Sequence, residues 1–325
     1  MEKALMEAQK GDIAPVEKYL RGLLEKKDRP EAALILEALT RGYLENLQFV
    51  ETQACLKEWS ETKPSDAQGF YLRGRALAEL PSGVDNWGRR VAPPEAIKDY
   101  RRALDLDPQH EGAGLRLAEA SLDTGKVEEA QALFRNLLTQ SPGNPGALLG
   151  LSRSLRGAGK LQEAQAVLDK LLEKHPRHVE GLTERAQLEV DTGKVDSAVA
   201  LVRKALELRP HDRQANYTLS LCLRRLGRQQ EAEQATTRFR QLEESSKRLL
   251  ELEKVVLKKP NDPVPRCEAG VLLLGLGEQR DGVRWLMSAV RVDPRHRPAH
   301  KALAEYYERI GKKDLAEKHH RLARE

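Results

Sequence analysis

Residues 114–144, GLRLAEASLDTGKVEEAQALFRNLLTQSPGN, and residues 147–178, ALLGLSRSLRGAGKLQEAQAVLDKLLEKHPRH, are two copies of one unit, with glycines Gly125 and Gly159 set 34 residues apart. The same interval leads on to Gly193 and Gly227, and separates Gly277 from Gly311. A fixed period of that length marks a chain of stacked small units. Seven residues before each glycine stands Ala118, Ser152, Ala186, Ser220, Gly270 or Ala304, and five after it stands Ala130, Ala164, Ala198, Ala232, Gly282 or Ala316. Small side chains at those two places let two helices cross closely. Large apolar residues nine and twelve after the glycine, such as Phe134 with Leu137 and Leu168 with Leu171, share one helical face. Glycine suits the left-handed residue that ends the first helix, and Pro142, Pro176, Pro210 or Pro294 stops the second. One such pair cannot bury its apolar face alone, so neighbours must stack.

These segments resemble the tetratricopeptide repeat family. The resemblance covers nearly the whole chain and implies an all-α fold, a right-handed α-solenoid of antiparallel helix pairs. Residues 300–323, HKALAEYYERIGKKDLAEKHHRLA, are also similar to the ends of long repeat proteins from bacteria.

Departures from the period divide the chain. Residues 1–66 hold an incomplete unit around Gly11 and a degenerate one in which Tyr43, Leu56, Trp59 and Pro64 keep the register while NLQF replaces the glycine turn. Met1 falls inside the first helix, from which a longer parent protein is expected, one able to carry a membrane anchor upstream. Residues 67–110 form a unit whose turn has gained ten residues, at 81–94; residues 111–246 are four regular units. The interval from Gly227 to Gly277 is 50, so residues 247–262 add a helical segment, either an extension of the second helix or a separate one, before two terminal units over 263–325. Contacts are expected only between neighbouring units, about eight in all, in an elongated array.

Composition excludes several functions. The 55 basic and 50 acidic residues are interspersed, giving a net charge of +5, with no basic stripe of the kind nucleic acids require. Cys55, Cys222 and Cys267 are too scattered for a disulfide or metal framework and read as small buried side chains. No apolar run reaches the ~18 residues of a membrane helix, so the chain reads as soluble and cytoplasmic, or as the soluble part of an anchored protein. Glycine pairs such as Gly157 with Gly159 start a GxGxxG pattern, but Gln162 stands at its third glycine, and Gly159-Lys160 lacks the earlier glycine of a phosphate loop, where Ser154 stands. His110, His178 and His296 recur just after the inter-repeat proline and read as polar turn residues, while His320 takes a place usually held by Phe or Leu. No catalytic, cofactor or metal site is expected.

The resemblance places ligand binding on the inner face of each first helix. Counting ten, six and three residues back from the glycine gives Leu149, Arg153 and Arg156, then Thr183, Gln187 and Val190, then Tyr217, Leu221 and Arg224. Of these, Leu149, Arg153, Arg156, Tyr217, Leu221 and Arg224 are the candidate groove for a partner protein or peptide. The two arginines of the first set can instead pair with Glu119 or Glu184. Lys301 alone matches the lysine of the family's carboxylate clamp, and Glu305 stands where the clamp needs Asn, which argues against capture of that kind of acidic tail. The inserted turn offers Trp87, Arg89 and Arg90 as a second contact or as a local cover. A monomeric, non-enzymatic scaffold is the leading reading. An accessory region of a larger enzyme or envelope assembly is the second, and an RNA-binding helical repeat the third, disfavoured by the period and the lack of a regular polar code.

Overall fold

The computed structural model describes residues 1–25, 31–62, 66–80 and 91–325. Among the described residues there are eighteen helices and no strand. They run α1 (Glu2–Gln9), α2 (Glu17–Leu24), α3 (Ala32–Glu45), α4 (Phe49–Thr62), α5 (Ala67–Glu79) and α6 (Pro94–Leu106). The regular block follows as α7 (Glu111–Asp123), α8 (Val127–Gln140), α9 (Pro145–Gly157), α10 (Leu161–Lys174), α11 (Val179–Asp191), α12 (Val195–Leu208) and α13 (Arg213–Arg225). The chain ends with α14 (Gln229–Lys258), α15 (Pro263–Gly275), α16 (Gln279–Val292), α17 (Arg297–Arg309) and α18 (Lys313–Arg324). Taken in order, these are nine helix pairs, one more than the periodicity suggested. The extra segment is an extension, because α14 is a single helix of 30 residues.

The turn chemistry follows from the sequence. Each turn glycine takes a positive φ between 71° and 91°, the left-handed geometry in which a β-carbon is disfavoured. Each first helix of the regular block opens on a side-chain cap: Asn144 and Asp212 accept from the amides three residues on, and so do His110 and His178 through Nδ1, at 3.2 and 3.0 Å. An imidazole that caps must present a bare nitrogen, and burial accordingly lowers the pKa of His178, against a smaller pull from Glu180. At the helix crossings Ala118, Ala130, Ser152, Ala164, Ala186 and Ala198 have no accessible surface. The crossing of α15 with α16 is tighter still, since a β-carbon on Gly270 would lie 2.8 Å from the Gly282 carbonyl oxygen.

The helices form two compact units, residues 97–244 and residues 1–96 with 245–325. In residues 97–244 the core runs in series, from Phe134, Leu148 and Leu168 to Val202 and Leu223, as stacking predicts.

The other unit corrects the expectation that contacts run only between neighbours. Its core joins Leu36, Leu39, Leu47, Phe49 and Trp59 from the start of the chain with Leu252, Val256, Leu273 and Trp285 from the end. The rings of Phe49 and Trp285 lie 6.0 Å apart. Three arginines clasp the α3–α4 turn. Arg266 Nη1 donates to the Leu47 carbonyl at 3.0 Å, Arg284 to the carbonyls of Leu44 and Glu45, and Arg291 Nη1 to that of Asn46 at 2.9 Å. These carbonyls lie where α3 ends, at the negative pole of its dipole, so cations are the natural partners. Arg266 is 3% exposed, and burial pushes its guanidinium down to about 10, Glu51 pulling the other way; it stays charged at neutral pH.

Candidate functional site

The six groove residues fall on two first helices of the 97–244 unit, three on α9 and three on α13, with α11 packed between them. The structure gives them different tasks. Leu149, 9% exposed, belongs to the core around Phe134 and has little surface to offer. Arg156 is bound on three sides: Nε donates to Glu184 at 2.6 Å, Nη2 to Gln187 at 2.8 Å and Nη1 to Asp191 at 3.2 Å. Gln187 passes the connection to Thr218 on α13 at 3.1 Å. Arg153 Nε donates to the other oxygen of Glu184 at 3.2 Å, while its side chain keeps 45% exposure. Glu119 pairs instead with Arg116, at 2.9 Å.

A polar ladder thus ties α9 to α11 and α11 to α13. Glu184, only 4% exposed, is its centre. A carboxylate at that depth requires compensation, which the two guanidinium groups supply. Arg156 is therefore committed to holding successive helices in register.

The surface left for a ligand lies on α13. Tyr217 is 39% exposed, its ring 5.2 Å from that of Phe239 on α14. Leu221 follows four residues on and is half-buried, and Arg224, three residues further, is exposed and donates to Thr236 at 2.7 Å. Those spacings put all three on one face of the helix. Trp87, Arg89 and Arg90 lie outside the described residues.

The unit formed by residues 1–96 and 245–325 holds a feature the sequence does not announce. A cleft of about 440 Å³ is lined by Leu47, Phe49, Leu273 and Trp285, with Arg75 and Arg280 among its polar groups. It adjoins a smaller hollow of about 230 Å³ between α3 and α5, sharing Leu44, Glu45, Arg75 and Glu79 with it. The cleft needs α3, α4, α5, α14, α15 and α16 together, and no local pattern records that they meet. Among the described residues no three His, Cys, Asp or Glu side chains converge as metal ligands require, and no helix is long and apolar enough to cross a membrane.

Two family models, each described as tetratricopeptide repeat, match this chain, one at residues 92–135 and 122–188 and the other at 183–241. No curated protein matches it. Similar solved structures include MamA residues 41 to the end from Desulfovibrio magneticus RS-1, 17% identical, covering 47% of this chain and 87% of that one with a TM-score of 0.41. MamA AMB-1 is 23% identical over 46% of this chain and 89% of its own, with a TM-score of 0.39. A monomeric mutant of IFIT1 with Gppp-AAAA is 18% identical over 98% of this chain and 75% of its own, with a TM-score of 0.45. The matched repeats and the succession of helix pairs, with their glycine turns and small-residue crossings, identify this chain as a tetratricopeptide repeat protein.

Proposed function

We propose that the chain is a non-enzymatic scaffold that holds a partner protein or peptide against the exposed face of α13, centred on Tyr217, Leu221 and Arg224, with Arg153 as an outlying charge. The observation that supports this most is the exposure of Tyr217 within a run of otherwise well-packed helices. Accessible tyrosine and arginine are among the residues that dominate binding interfaces, and the half-buried leucine between them adds apolar surface. Tetratricopeptide repeat families are in general non-catalytic scaffolds, in keeping with this reading.

The chemistry points to a peptide with an apolar anchor flanked by an acidic group or a free carbonyl. Arg224 has donors to offer such a group, and charge-assisted bonds of this kind are the stronger ones. A random peptide library displayed and selected on the full chain tests the proposal. Selected peptides should lose at least ~10-fold in affinity on Tyr217→Ala or Arg224→Ala, a hot-spot loss of about 1.4 kcal/mol or more, while the melting temperature holds. Peptides that bind the variants as well as the parent would refute the α13 assignment.

A further inference from the structure

At the end of the chain two histidines are buried against each other. His300 on α17 is 1% exposed and His319 on α18 is 5% exposed, and their Nδ1 atoms lie 2.8 Å apart. The other nitrogen of His300, Nε2, is 3.0 Å from the Pro294 carbonyl oxygen. A carbonyl only accepts, so His300 carries its proton on Nε2 and its Nδ1 is bare. His319 must then donate from Nδ1. For a neutral pair the two contacts thus fix both tautomers. Tyr307 stacks on His319 at 5.6 Å, completing a small aromatic core between the last two helices.

Acid acts directly on this arrangement. One added proton charges a ring in a buried site beside Lys318. A second sets N–H against N–H across 2.8 Å and abolishes the bond. We propose that the His300–His319 pair is an acid-sensitive latch, which holds α18 on α17 at neutral pH and releases it as the medium acidifies.

Among the described residues no carboxylate pairs with either ring. On α17 and α18 the neighbours are Tyr307, with Tyr306 edge-on to it, and Lys318. His320 is engaged with Glu308 at 2.7 Å on the exposed side. From the end of α16, Asp293 lies 3.9 Å from His296, and Arg291 is spent on Asn46. From α15, Arg266 is spent on Leu47, Glu268 is held by Arg248, and Cys267 is neutral, its pKa pushed up to about 11 by burial and then by Glu268. Burial first, then His300 and Lys318, lower the pKa of His319 below the ordinary 6.5. The sign follows. The unfolded ring takes its proton first, so stability rises with pH through the window below about 6.5 and falls as pH drops through it.

Release would uncover the face of α17 that bears His300 and Tyr307. Hydrogen exchange on the full chain, corrected for the intrinsic pH dependence of amide exchange, tests the latch. Between pH 7.5 and pH 5.0 the protection of α17 and α18 should fall ~10-fold or more, while α9 to α12 keep theirs. His319→Asn and His300→Asn each retain a polar group at the Nδ1 position and remove one titrating ring; in each the fall should shrink to less than ~3-fold. Unchanged protection in the parent, an equal loss in α9 to α12, or variants with the parent's full response would each overturn the proposal. Should a variant fail to fold at pH 7.5, ring resonances of the parent decide: His319 titrating below the ordinary value supports the latch, and at or above it refutes it.

Discussion

Leu47 carries the strain of the degenerate turn. It occupies the place that glycine holds in the other repeats and takes φ +54°, the single positive φ among described residues other than glycine. For a side chain with a β-carbon that conformation costs roughly 1–2 kcal/mol. It persists because the neighbourhood over-determines it: Leu47 is 5% exposed, Arg266 holds its carbonyl, and Phe49 packs on Trp285. NLQF could be recognised in the sequence as a turn that had lost its glycine, but not as one clasped by three arginines, since the acceptors are backbone atoms more than 200 residues away. Arg153 and Arg156 were legible as groove arginines; their separation into one half-exposed and one committed side chain was not, because it depends on the depth of Glu184. Arg156→Leu should destabilise the chain by about 2 kcal/mol, less than the full loss of a buried pair because Arg153 remains. A double-mutant cycle with Glu184→Gln checks this, and a coupling near zero would mean the ladder is decorative.

Helices were the most legible level, since glycine turns, small crossings and proline stops recur in register. Two places exceeded that code. The interval of 50 announced extra helix, and the unbroken run of α14 over 30 residues makes it one long helix. Gly270 and Gly282 looked like ordinary small positions, yet the backbones of α15 and α16 approach so closely that a β-carbon on Gly270 would sit 2.6 Å from Leu286 Cγ and 2.9 Å from its amide nitrogen. Gly270→Ala should therefore cost about 2 kcal/mol through overpacking, despite a propensity gain of about 1 kcal/mol. Gly157→Ala, at the end of α9 with nothing within 4 Å of the new carbon, should stabilise by about 0.5 kcal/mol. Chemical denaturation of the pair reads opposite signs; equal effects would show that the crossing has room.

At the scale of the molecule the sequence misleads, because period alone cannot say that the first repeats share a core with α14, α15 and α16. The unit of residues 1–96 and 245–325 is one packed body, and its cleft is legible only once that is known. Deleting residues 263–325 should consequently unfold more than the deleted part. Leu47, Phe49 and the α3 carbonyls would lose their cover, so helicity per remaining residue should drop and α3 and α4 should become sensitive to protease. If the shortened chain keeps full protection there, the arginine clasp contributes little. The clasp also has a consequence for biosynthesis. Between Leu47 and Arg266 lie 219 positions and between Asn46 and Arg291 lie 245, which at ~5–20 residues per second is roughly 10–50 seconds of translation. For that interval the nascent α3–α4 turn waits at the ribosome with its carbonyls hydrated and its apolar side uncovered, while residues 97–244 can complete their own stacking. Chaperone demand should thus concentrate on the first segment made, and end when the last helices arrive.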